Sequence, residues 1–83
     1  RYGVMLHIDL KNAMQGSASN FSCLFFQLLA KADAHNRDKL SKGFPVEVHM
    51  MEIYHSSCPY IVDEKGHNHV NYWLIEKRAR EMT

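Results

Sequence analysis

The chain has 83 residues, of which 46% are hydrophobic and 23% are charged, and its formal net charge is +1. This composition excludes an intrinsically disordered chain, and the near-neutral charge argues against a protein that coats nucleic acid. We expect one small domain over residues 1–83, with a core that a binding partner would help to complete. No apolar run is long enough to span a bilayer, and no signal-peptide pattern is present, so no membrane association is expected.

The segment from Tyr2 to Gln15 fits two structures. Alternating apolar residues indicate a strand, whereas another subset has helical spacing. We favour the helix because Gly16 suits a left-handed residue after a helix end and an isolated strand is rarely stable. The alternating set is Val4, Leu6, Ile8 and Leu10, and the helical set is Leu6, Leu10, Ala13 and Met14.

A second helix is predicted to begin at Ser19 or Asn20, which are both good N-cap residues. Its apolar residues cover most of its circumference, so we expect it to be the core helix. One face is Phe21, Leu24, Phe25, Leu28 and Ala32, and it is widened by Cys23, Phe26 and Leu29.

Two further helices follow from local signals. Asp33 is expected to cap a short helix from Ala34 to Lys42, with Gly43 as a left-handed residue at its end. Pro45 then suits the first turn of a helix that ends near Ser56.

The segment Leu29 to Val48, LAKADAHNRDKLSKGFPVEV, resembles a string found in small proteins of bacteriophages and prophages. Those proteins carry variants of AKADxxNRxKLxxGFPxEV after a phenylalanine-rich helix. The resemblance covers Phe21 to Tyr54 and implies a phage origin and a helical fold, without implying an activity. The segment after Cys58 does not share it.

The C-terminal third allows two predictions. Tyr60–Val62 and 69–72 would form a small hairpin around the turn-like residues 63–66. The competing prediction, which we favour, is a final helix from Asn68 to Glu81, since residues 76–81 are strong helix formers. The fold class is therefore all-α, a bundle of about four short helices. Its expected core is Leu24, Phe25, Leu28, Leu40, Phe44, Val48 and Trp73.

A histidine- and cysteine-containing set offers a candidate metal site. Its side chains are all types that zinc accepts, although a solvated loop is the alternative that we favour. We expect no metal, no cofactor and no enzyme activity, because no complete nucleophile, carboxylate pair or phosphate loop is visible. The two cysteines form no disulfide framework and indicate a reducing, cytoplasmic location, here of a bacterial host cell. The set is His55, Cys58, His67 and His69.

A basic cluster near the C-terminus offers a candidate nucleic-acid or nucleotide contact, formed by Lys77, Arg78 and Arg80. Positive side chains at a helix C-terminus also complement the helix dipole, and adjacent glutamates dilute the patch. Nucleic acid is therefore the less favoured partner.

Large adaptable side chains are the main functional signal, with five methionines, four tyrosines, four phenylalanines and one tryptophan. Such residues are enriched at protein interfaces, although each alone is more often part of a core. Together with the phage resemblance, they predict a non-catalytic module that binds and inhibits a host protein, such as a defence component, or that self-associates. The residues expected at the contact are Met50, Met51, Tyr54, Tyr60, Tyr72 and Trp73.

Overall fold

The computed structural model describes residues 6–17 and 20–83. Its elements are, in chain order, α1 (Leu6–Met14), α2 (Phe21–Lys31), α3 (Ala34–Ser41), α4 (Pro45–Ser56), β1 (Tyr60–Val62), β2 (Asn68–Val70) and α5 (Tyr72–Met82). The predicted fold class, a small and mostly helical bundle, is confirmed. Within the described ranges, every helix falls short of the length and apolar character that crossing a membrane requires.

The starts of three helices are held by side-chain caps. Asn20 accepts a hydrogen bond from the backbone N–H of Cys23 at 2.9 Å, and Asp33 accepts one from Asn36 at 2.8 Å. The side chain of Asn71 caps the start of α5 in the same way. Each cap satisfies an amide that has no partner inside its own helix. The caps predicted at Asn20 and Asp33 are confirmed, while Tyr2 and Ser19 lie outside the described residues.

The two glycines that were expected at helix ends behave differently. Gly16 has a φ of 94°, the left-handed conformation predicted after the first helix. Gly43 does not adopt a positive φ, so the corresponding prediction is wrong. The backbone N–H groups of Lys42 and Gly43 instead donate to carbonyls three residues back, at 3.4 and 3.2 Å. This tightened last turn closes α3 without a left-handed residue.

A single core joins the helices. α1 packs against α2 and α5, while α4 packs against α2, α3 and α5. Burying each large apolar side chain contributes about 1.5–3 kcal/mol relative to leaving it in water. The largest of the fully buried side chains are Leu10, Cys23, Phe26, Leu29, Met50, Met51 and Ile75.

The predicted core is only partly correct. Phe25 and Val48 are buried, and Leu40 and Phe44 are half-buried against the core, but three of the predicted residues are exposed. On α2 the error is a choice of side: the helix is apolar nearly all round, so spacing alone could not show which side meets α1 and α4. On α5 the buried side begins two residues later, at Ile75. The exposed residues are Leu24, Leu28 and Trp73.

The hairpin and the final helix, which the sequence presented as alternatives, both exist. β1 and β2 pair antiparallel with Ile61 opposite His69, and α5 begins only at Tyr72 rather than at Asn68. The turn between the strands is closed by a bond from the Gly66 N–H to the Asp63 carbonyl at 3.0 Å. Gly66 has a φ of 81°, which glycine adopts without steric cost.

Candidate protein-binding surface

An apolar stripe on α2 faces away from the core. Phe21, Leu24 and Leu28 expose 67, 53 and 54% of their surfaces. Their spacing of three and then four residues places them on the same side of the helix. A helix that is apolar on all sides is normally buried on all sides, yet this side lies open in the described structure. We call these three residues the α2 stripe.

Aromatic packing holds one end of the α2 stripe in place. The ring of Phe21 stacks on that of buried Phe25 with centroids 5.9 Å apart and an interplanar angle of 12°. Both rings contact Phe44, at centroid distances of 6.3 and 4.5 Å. Ring pairs at these distances add stabilisation beyond their buried area. Phe21 is therefore held in position although it is exposed, which lowers the entropy lost when a partner binds.

The two methionines predicted at the contact lie elsewhere. Met50 and Met51 are buried in the core, so their assignment to a partner-binding surface is wrong. The reason is the position of α4, which has neighbours in α2, α3 and α5. A helix surrounded in this way buries consecutive positions, and flexible methionine side chains fill the irregular space between its neighbours.

The tyrosines predicted at the contact form a cluster where α4, β1 and α5 meet. Tyr54 and Tyr72 are half-buried, with ring centroids 6.1 Å apart. Burial, followed by the charge and hydrogen bond of Tyr54, raises the pKa of Tyr72 to about 12. Cys58 likewise raises the pKa of Tyr60, which is largely exposed. Both hydroxyls stay protonated at neutral pH and can donate hydrogen bonds.

Trp73 is exposed on the first turn of α5, where the ammonium of Lys77 lies 5.4 Å from its ring centroid. Arg80 donates from Nε to Glu76 Oε2 at 2.7 Å, and Arg78 is exposed. Two of the three basic residues proposed for nucleic acid thus have contacts on their own helix, to an aromatic ring and to a carboxylate. Such contacts partly occupy the groups that phosphate would need.

The four candidate zinc ligands are not assembled into a site. No group of three or more His, Cys, Asp or Glu side chains in residues 6–17 and 20–83 is placed to hold a metal. His55 packs against the Tyr54 ring, and the Cys58 thiol donates to the Pro59 carbonyl at 3.8 Å. His67 and His69 belong to the hairpin, where both approach Asp63.

Asp63 organises the turn of the hairpin. Its Oδ1 accepts from the backbone N–H of Lys65 and of His67, both at 2.9 Å, and its Oδ2 lies 2.7 Å from His69 Nε2. The hydrogen bond with His69, followed by that from His67, lowers the pKa of the Asp63 carboxyl. Two of the candidate metal ligands, His67 and His69, thus lie beside the carboxylate that holds the turn.

The α2 stripe was missed from the sequence, because Leu24 and Leu28 were assigned to the core and Phe21 to the apolar face of the same helix. One signal could have found it: α2 has more large apolar residues than one side of a helix can present to a core. Comparison of the chain with protein-family models, curated proteins and solved structures finds no match. The surface itself is therefore the basis of a functional assignment.

Proposed function

We propose that this chain is a non-catalytic protein-binding module that contacts its partner through the α2 stripe. The observation that carries the proposal is the exposure of Phe21, Leu24 and Leu28 on one side of a helix whose other side is in the core. Contiguous exposed apolar surface on a small protein is typical of a binding site.

The spacing of the stripe favours a defined kind of partner. Anchors at positions i, i+3 and i+7 of a helix are those with which an amphipathic helix fills an apolar groove. The partner would supply such a groove, with a rim that leaves the polar flanks of α2 in water. Phe21 is the principal anchor, since aromatic residues with fixed positions dominate binding energy at interfaces.

The resemblance to small phage proteins supports a host protein as the partner. Small phage proteins without catalytic groups often act by binding and blocking a host protein, including components of antiviral defence. The resemblance covers Phe21 to Tyr54 and so includes the α2 stripe, although the similar string itself begins at Leu29, just after the stripe. The resemblance supports a phage origin of the chain, and the exposed side chains of the α2 stripe support the proposed contact with a partner.

Affinity capture from a bacterial lysate tests the proposal. The chain should retain one protein complex, and Leu24→Glu or Leu28→Glu should abolish its retention by placing a charge in an apolar contact. Met82→Glu is the matched control, because Met82 is similarly exposed but lies on α5. Retention that survives both α2 variants, or that disappears with nuclease treatment or moderate salt, would contradict the proposal.

A further inference from the structure

Strand β1 has an edge that no other strand covers in the described part of the chain. Tyr60, Ile61 and Val62 expose 60, 51 and 61% of their surfaces, and none of them is charged. A two-stranded hairpin is marginal in water, and three or more strands with an apolar face are needed for independent stability. These two strands also contact each other more than they contact the helices. The hairpin therefore lacks further strands that would stabilise it.

Two hydrogen bonds at its ends fix the pattern of the hairpin ladder. The Asp63 N–H donates to the His67 carbonyl at 3.0 Å, and the Asn71 N–H donates to the Pro59 carbonyl at 2.8 Å. Bonded and non-bonded pairs alternate along an antiparallel ladder. The bonded pairs of β1 and its flanks therefore occur at positions 59, 61 and 63.

This alternation determines which backbone groups point to the open edge. Ile61 and His69 form the bonded pair in the middle of the ladder. The N–H and C=O groups of Tyr60 and Val62 consequently point away from β2. Four backbone hydrogen-bonding groups of two apolar residues are directed outward along one edge, and such an edge is a template for another strand.

We infer that β1 pairs antiparallel with β1 of a second copy of this chain, about a two-fold axis that passes beside Ile61. In this register Tyr60 lies opposite Val62 of the second copy, and the two residues exchange both of their hydrogen bonds. Ile61 faces its own symmetry mate in a non-bonded pair, where side chains are closest. The two hairpins become one four-stranded sheet.

The strand fits its own copy better than it fits a polar or charged partner. An axis beside Ile61 pairs all four outward groups within β1, whereas an axis at Tyr60 or Val62 would require partner residues outside the strand. Every side-chain pair across this axis is apolar or aromatic, which is a favourable set of cross-strand pairs. Pro59 removes no hydrogen bond from the new ladder, because the N–H that proline lacks would have pointed toward β2. The usual protection of an edge, a charged side chain within the strand, is absent from β1.

The inference is independent of the α2 stripe, and a pair of proline variants tests it. Val62→Pro removes an N–H that only the second copy would use, and edge positions of this kind tolerate proline. Asn68→Pro is the matched control, because Asn68 pairs with Val62 and points its N–H to the opposite edge of the hairpin. Light scattering over a concentration series should give twice the monomer mass of 9.7 kDa for the wild type and for Asn68→Pro. Val62→Pro should remain monomeric.

A disulfide provides a second measurement that does not depend on how well the proline variants fold. In a Cys58→Ser background, Ile61→Cys should form a cross-linked dimer on mild oxidation, because Cα atoms of a non-bonded pair lie about 4.5 Å apart. Tyr60→Cys should not, since its symmetry mate is offset by about 7 Å along the strand.

The two experiments together decide the inference. A wild-type chain that stays monomeric at every concentration overturns it, and so does a dimer that both proline variants retain. If both proline variants lose the dimer, the disulfide measurement decides. Absence of the Ile61→Cys disulfide then overturns the inference, and formation of that disulfide supports it. None of these outcomes bears on the α2 stripe, whose variants are tested by capture of a host protein.

Discussion

Glu76 of α5 accepts two hydrogen bonds from His7 of α1. Its Oε1 lies 2.8 Å from the His7 backbone nitrogen and 2.7 Å from the ring Nδ1. The other oxygen accepts from Arg80 Nε at 2.7 Å. Glu76 thus satisfies an orphan amide at the start of α1 while its own charge is balanced from α5. A largely buried carboxylate therefore joins the first and last helices of the described chain.

This arrangement predicts an acid-sensitive stability. Burial alone would raise the pKa of Glu76, but the hydrogen bonds from His7 and Arg80 outweigh burial and lower it. Since the folded pKa lies below the unfolded one, the stabilisation is complete above the unfolded value of about 4.3 and is lost as pH falls through the folded value. In Glu76→Gln this part of the acid-induced loss should disappear. Urea unfolding at a series of pH values measures it, with Glu81→Gln as the exposed control on the same helix. Identical pH profiles for wild type and Glu76→Gln would refute the assignment.

Truncation of two adjacent leucines should change the free energy of unfolding by very different amounts. Leu29 is fully buried, so Leu29→Ala should lower the free energy of unfolding by about 2–5 kcal/mol. Leu28 is exposed, so Leu28→Ala should change it by only about 0.5 kcal/mol while weakening capture of the partner. The core expected from the sequence included Leu28, so the sequence alone would assign the large loss to Leu28. Chemical denaturation of both variants decides between the two sides of α2.

Loss of the Asp63 turn should loosen the hairpin without lowering the stability of the helices. Asp63→Ala removes the acceptor of two backbone amides and of His69, so the hairpin amides of Ile61 and His69 should exchange faster with solvent. The melting temperature should change little, because the strands contribute little to the core. Because the pKa of Asp63 is lowered, acid should produce the same loosening as pH falls through that pKa. Hydrogen exchange by NMR measures both effects. Glu64→Ala, at the neighbouring exposed position, should leave these rates unchanged, and equally fast exchange in that variant would count against Asp63.

Tyr72 should limit stability at alkaline pH. Its pKa is raised to about 12, mainly by burial. A folded pKa above the unfolded value of about 10 means that stabilisation is present below pH 10 and is lost as pH rises through the folded value. Tyr72→Phe should remove this alkaline loss and also the last step of an ultraviolet tyrosine titration. Should that step persist in Tyr72→Phe, another tyrosine would be responsible.

Local chemistry in the sequence predicted the starts of α2, α3 and α4, because a helix start depends on a few neighbouring residues. Asn20, Asp33 and Pro45 each occupy the predicted position. The buried side of α2 was not predictable, since apolar residues on both sides give the same spacing and the choice is made by α1 and α4. The hairpin was set aside because residues 76–81 are strong helix formers, yet it forms before that helix, and its turn is held by hydrogen bonds to the Asp63 side chain. The α2 stripe was not predicted for the same reason as the buried side of α2, because the spacing of apolar residues does not show which side of α2 is exposed.

Asn71 belongs to the hairpin and to α5 at once. Its N–H donates to the Pro59 carbonyl at 2.8 Å, while its side-chain Oδ1 accepts from the Leu74 N–H at 3.1 Å. Residues 59–71 therefore form a lobe whose base is clamped by the residue that starts the last helix. Extra residues grafted at the tip, between Glu64 and Lys65, would leave the clamp intact and disturb the lobe alone. A single residue inserted just before Asn71 would shift strand pairing and helix phase together, so the tip can accommodate a label and the base cannot.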